Sequence, residues 1–188
     1  MAKAKVLTKD EVRRVLRIAE TLNHGQRDRA VLALSIMAGM RVGEIAALTL
    51  GDVRGIDGRA VDIIHLARHQ TKGNRSRRVF LGDELRKIIN GYLVWRSNDG
   101  DAAPVIASSR TRRHMSNVTL SMRIKSIYRA AGIDTSSHAG RRTFATRTNE
   151  IGIGMATIQQ LMGHSSIQTT ALYCHVSDEQ LRNAANAV

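Results

Sequence analysis

Apolar residues recur along the first part of the chain with helical spacing. In "LTKDEVRRVLRIAETL", Val12, Val15, Leu16 and Ala19 fall on one helical face. Thr8 precedes them as the N-cap, and Glu11, three residues on, completes a capping box. "RDRAVLALSIMAGMR" is apolar on nearly every side, which predicts a buried helix interrupted near Gly39, and "VGEIAAL" predicts a short helix after it. From Asp52 the pattern changes. "RAVDIIHLA" alternates and is β-branched, "GDVRGIDGR" supplies turn residues, and "RSRRVFL" is a further extended candidate. Three short strands with Gly-containing turns predict a small antiparallel sheet, with "TKGN" as one hairpin turn. Helices resume at "DELRKIINGYLVWRS", with Asp83 near its start, and at "SNVTLSMRIKSIYRAAG", capped by Ser116 and closed by Gly132. Pro104, the single proline, falls in the loop between them. Ser136 or Ser137 opens "HAGRRTFATRTNEIG", two shorter helices follow in "MATIQQLM" and "IQTTALYCHV", and "SDEQLRNAANAV" closes the chain behind an N-cap at Ser177. The expected fold class is mainly α with a small antiparallel β-sheet (α+β), one domain over residues 1–188 with a tail helix at about 177–188.

Composition sharpens this picture. Aromatics are only 3% of the chain, so the core must rest on Leu, Ile, Val, Ala and Met, which favours helices over a sandwich. Lys plus Arg number 29 against 16 Asp plus Glu, a net charge of +13. Such an excess points to a polyanionic partner, nucleic acid above all. Basic residues gather around the sheet (Arg68, Lys72, Arg75, Arg77, Arg78) and in "SSRTRRHMS" (Arg110, Arg112, Arg113), two candidate DNA-facing patches, with Arg142 as a further candidate contact. The one cysteine, Cys174, excludes an internal disulfide and a multi-thiolate metal site. No apolar run approaches the roughly 18 residues of a membrane helix, and the N-terminus lacks a signal-peptide core. The expected setting is cytoplasmic, on nucleoid DNA, with no membrane partner.

Individual residues remain ambiguous when taken singly. His138 and Arg141 project from one helix face near its start, as either a phosphate seat or a solvated pair. Arg41 follows a very apolar helix, where a charge needs a partner. That partner is Glu44, three residues on, or an external anion. Lys72 lies in a turn, where lysine is ordinarily solvated surface.

Together they are more telling. "AGMRVGE", "TKGNRSRRVFL", "HAGRRTFAT" and "LMGHSSIQTTALYCHV", in that order, resemble the tyrosine recombinase (phage integrase) family from about Leu7 to Val176. The last stretch is the most specific, with Leu-x-Gly-His-Ser-Ser, two threonines, and a tyrosine nine residues after the histidine. The resemblance implies a catalytic set of Arg41, Lys72, His138, Arg141, His164 and Tyr173, with Tyr173 as nucleophile. It implies cleavage of one DNA strand through a 3′-phosphotyrosyl intermediate, without metal, cofactor or ATP. It also implies protomers that are mainly monomeric when free and assemble on double-stranded DNA.

These residue types suit that chemistry. A phosphodiester gathers negative charge on its non-bridging oxygens in the transition state, and guanidinium forks match them. His164 can add a hydrogen bond there. A phenol, with an ordinary pKa of about 10, needs a base, for which His138 is the candidate. The leaving 5′-oxygen needs a proton, for which Lys72 is the candidate. Two departures from the family pattern stand out. Gly140 occupies a position usually held by leucine, which weakens the first helical turn and lets the backbone come closer to a phosphate. Only six residues precede the matching region, so the expectation is a short member without the family's N-terminal DNA-binding domain, the alternative being a fragment of a longer protein. A DNA-binding regulator or architectural factor on this fold, and a type IB topoisomerase, are the rival readings.

Overall fold

The computed structural model describes residues 4–173, 176 and 178–186. Helix α1 (Lys9–Thr21) begins at the expected capping box: Thr8 accepts from the Glu11 amide and the Glu11 carboxylate from the Thr8 amide. Helix α2 (Gly25–Met37) runs through the centre of the core, with Ala30 to Leu34 and Ile36 all buried. Helices α1, α5 (Asp83–Trp95) and α7 (Ala139–Glu150) pack around it. Such a helix has no polar face to give to water, which is why its sequence lacks amphipathic periodicity. Its one buried carboxylate, Asp28, is gripped by Arg27 and by Arg123 of α6 (Asn117–Ala130).

Short helices α3 (Val42–Ala47) and α4 (Leu50–Val53) lead into the sheet. Strands β1 (Ile63–Leu66) and β2 (Arg77–Phe80) pair antiparallel, Ile64 opposite Val79 and Leu66 opposite Arg77. Of the three expected strands two form the ladder. No third strand joins it among the described residues, and Arg54 and Ala60 make a single bridge across the turn between α4 and β1. Helix α6 is capped by the Ser116 hydroxyl, as expected, and its chain reverses at Gly132.

Two boundaries depart from the sequence reading. The N-cap position of α7 is His138 rather than either serine, and the Ser136 carbonyl accepts from the Ala139 amide in the preceding turn. Helix α8 (Met155–Met162) is as expected, but α9 (Ile167–Ala171) is shorter, so Tyr173 sits in the turn after it. Helix α10 (Asp178–Asn186) follows; Ser177, expected as its cap, and residues 174 and 175 lie outside the described residues. The segment before α1 is pinned to α7, with the Leu7 amide donating to Thr143 Oγ1 (2.8 Å) and Arg147 donating to the Leu7 carbonyl. That contact anchors the helix carrying Arg141.

Candidate active site

Glycine 140 explains how close α7 comes to α2. A Cβ placed there would lie 2.5 Å from Ser35 Oγ and 2.9 Å from Ile36 Cγ1. The glycine therefore admits α2 rather than a phosphate, correcting the expectation at this position. The close approach brings Arg141 of α7 to the end of α2, where its guanidinium donates to the Gly39 carbonyl.

Helix α8 ends at Gly163, whose φ of 60° is left-handed and suits glycine. Its last carbonyls point into a cluster of guanidinium groups. Arg77 donates to the Leu161 carbonyl (2.8 Å), Arg141 to that of Met162 (2.5 Å) and Arg41 to that of Gly163 (2.8 Å). Three consecutive acceptors at the negative end of one helix thus bind three arginines from three other segments. The turn beyond carries His164, and α9 then delivers Tyr173.

Glu44, 1% exposed, is the anion at the centre of this cluster. Its carboxylate accepts from Arg41 Nη1 (2.8 Å), the Arg41 amide (2.8 Å), Arg77 Nε (3.1 Å) and Arg77 Nη2 (2.6 Å). Burial alone would raise its pKa, but the hydrogen bonds and charges of Arg77 and Arg41 outweigh it and hold the carboxyl below its ordinary value. Arg141 is buried too. Burial, then the neighbouring charge of Arg41, presses its guanidinium down to about 9, so it stays protonated at neutral pH.

His164 is half-buried. Burial first, then the charges of Arg141, Arg41 and Arg77, holds the imidazole down to about 4, so the ring is neutral at pH 7. Its Nδ1 lies 2.9 Å from Thr170 Oγ1. The Tyr173 ring stacks against it with centroids 5.9 Å apart and planes 24° from parallel. Arg142 covers the tyrosine with its guanidinium carbon 5.9 Å from the ring centroid. Below, Tyr173 packs on Ala145, Ile158 and Met162.

All six residues picked from the sequence line one cleft of about 620 Å³: Arg41, Lys72, His138, Arg141, His164 and Tyr173. His138 is exposed at the start of α7, and Lys72 is exposed on the β1–β2 turn, which Thr71 fastens by accepting the Arg75 amide and donating to its carbonyl. Of the arginines expected to face DNA, Arg68, Arg75, Arg78, Arg110, Arg112 and Arg113 are exposed, Arg112 pairing with Asp99. Arg142, partly exposed, lies against Tyr173. Arg77 is a correction: its side chain is 9% exposed and each of its three nitrogens is engaged within the protein. The signal was available in the strand period. Arg77 shares a face with the buried Val79, whereas Arg78 shares one with the exposed Phe80 and stacks on it. Asn117 and Ser121 are site residues that no sequence motif marked, whereas Thr170 is one of the two threonines of the last motif.

A model of the phage integrase family matches residues 5–180. Tyrosine recombinase XerD of Yersinia pestis is 36% identical over 163 residues, 83% of this chain and 52% of that protein. The crystal structure of XerA recombinase is similar with a TM-score of 0.79 at 29% identity, covering 100% of this chain and 66% of that one. XerH site-specific recombinase, in a pre-cleavage complex with its difH substrate, shares the fold with a TM-score of 0.72 at 21% identity, covering 98% of this chain and 54% of that one. The chain spans about half the length of the curated relatives it matches, 52% in the case of XerD.

Proposed function

Because the chain belongs to the phage integrase family, we propose that it is a site-specific recombinase that cuts and rejoins double-stranded DNA through a covalent link to Tyr173. The observation that supports this most is the single cleft shared by six side chains drawn from residues 41 to 173. XerD, a relative at 36% identity, is a tyrosine recombinase, and XerH is seen bound to its difH substrate.

In this reading the scissile phosphate sits among Arg41, Arg141 and His164. The two guanidiniums meet its non-bridging oxygens, each preorganised by a carbonyl it already holds. The Thr170 hydroxyl donates to His164 Nδ1, which leaves the proton on Nε2 to bind a phosphate oxygen. Tyr173 Oη attacks phosphorus and passes its proton to His138. The bond from phosphorus to the 5′-oxygen breaks, and Lys72 protonates that oxygen. The products are a 3′-phosphotyrosyl link and a free 5′-hydroxyl, and reversal on a new 5′-hydroxyl reseals the strand. The link conserves the bond energy, so resealing consumes no ATP. The exposed arginines of the β1–β2 turn and of the 108–116 loop hold the duplex backbone. Protomers that are monomeric when free assemble on paired sites, and exposed Leu181 and Ala185 of α10, four residues apart, form the stripe that docks on a neighbour. The protein acts in the cytoplasm, on nucleoid DNA.

The test is a nicked suicide DNA run on a denaturing gel. The wild-type chain traps a covalent adduct, and Tyr173→Phe traps none while binding the DNA equally well. An adduct that persists in Tyr173→Phe rules out this nucleophile.

A further inference from the structure

Two of the three arginines that meet the end of α8 belong to the set expected to touch the phosphate. The third, Arg77, does not, and its surroundings are built as closely as theirs. Its guanidinium forks onto Glu44 through Nε (3.1 Å) and Nη2 (2.6 Å), while Nη1 reaches the Leu161 carbonyl (2.8 Å). Glu44 uses the same carboxylate to hold the Arg41 side chain and amide. The aliphatic stem of Arg77 covers Gly163 so tightly that a Cβ there would lie 2.4 Å from Arg77 Cδ. Gly163 is thus needed twice, for its left-handed φ and for the arginine packed on it. One residue of β2 therefore touches the turn before His164 at a carbonyl and at a glycine, and touches Arg41 through Glu44.

We propose that Arg77 is a positioning residue, which sets where His164 and Arg41 stand in the cleft without itself meeting DNA. This rests on the strand-transfer reading of the same site. Lysine cannot replace it fully, because an ammonium lacks the planar fork that serves a carboxylate and a carbonyl together. Methionine preserves much of the stem and removes both charge and fork.

His164 reports on the arrangement without DNA. The groups that face it are Arg141 from α7, Arg41 ahead of α3, Glu44 in α3, Arg77 in β2, and Thr170 and Tyr173 around α9. The experiment follows the His164 ring by NMR titration of the DNA-free protein. It also measures affinity for a duplex site against salt, and cleavage of the nicked DNA at saturating protein. In Arg77→Met the His164 midpoint rises from about 4 towards the ordinary imidazole value, because a nearby cation is gone. Saturating cleavage falls roughly 10²-fold, the scale of an ångström-sized misplacement, with affinity and its salt slope unchanged. In Arg77→Lys, which keeps the charge, the midpoint stays near that of wild type while cleavage still falls, by about tenfold.

A folded Arg77→Met with wild-type midpoint and cleavage overturns the proposal. So does a variant, Arg77→Lys included, that cleaves at the wild-type saturating rate; a loss of about one from its salt slope would then make Arg77 a phosphate contact. If the wild-type chain forms no adduct, the strand-transfer reading fails, and the role of Arg77 stands or falls on the His164 midpoint alone.

Discussion

Replacing Glu44 with alanine removes the one carboxylate shared by Arg41 and Arg77. Four hydrogen bonds end on that carboxylate, and it is 1% exposed. Breaking a buried ion pair on one side costs about 3–5 kcal/mol, because the remaining charge is left in low dielectric without a partner. Here two partners are left. Arg41, with 28% of its side chain exposed, can turn towards water; Arg77, at 9%, cannot. Glu44→Ala should therefore cost about 3–5 kcal/mol. At about 2–4 °C per kcal/mol for a chain of this size, the melting temperature falls by about 6–20 °C. Glu44→Gln keeps the shape but turns an amide N–H₂ towards arginine donors, so it loses most of the same amount. The assay is thermal melting followed by circular dichroism, repeated with added sulfate. An anion seated among the orphaned guanidiniums restores part of the loss in either variant by binding only the folded state. Melting within about 2 °C of wild type in both variants would refute this account of the cluster.

Gly140→Ala gains about 1 kcal/mol of helix propensity but overpacks α7 against α2 at a cost of about 1–3 kcal/mol. Because the nearest obstruction is Ser35 Oγ, which is buried without a hydrogen-bond partner, the substitution costs less in a Ser35→Ala background. Urea melts that show strict additivity count against that contact. Lys72→Ala should slow cleavage strongly yet recover on DNA whose leaving 5′-oxygen is sulfur, since a thiolate leaves without a proton; no recovery removes Lys72 from the acid role. Acid should destabilise the fold in two steps. Between about 6.5 and 4 the unfolded chain takes up a proton that folded His164 refuses, so stability falls with pH in that window, and His164→Gln flattens it. Below the ordinary carboxylate value, Glu44, held low by its arginines, gives up its contribution as pH drops through its folded value, a step absent in Glu44→Gln.

Much of this was local and so legible in the chain. The Thr8–Glu11 box, the Ser116 cap and the Gly132 stop depend on residues within a few positions of one another, and each appears where its spacing puts it. The six site residues could be named because short motifs carry them, although their meeting in one cleft is a property of the packing. Tertiary structure decided the rest. Whether Arg77 faced DNA or the protein depended on what lay across from β2, and that was the end of α8, 84 residues further along the chain. Glu44 looked like a private partner for Arg41, yet it serves two arginines, because the hairpin folds back over α3. Gly140 read as an opening towards a phosphate, but the space it leaves is filled by Ser35 and Ile36. Helix α9 stops at Ala171, although its sequence pattern continues beyond it, and Tyr173 turns back onto Ala145, Ile158 and Met162. The division has a physical cause. Caps and periods are set by bonds within a turn or two of backbone, while the direction of a buried charge depends on which distant segment holds its counter-charge.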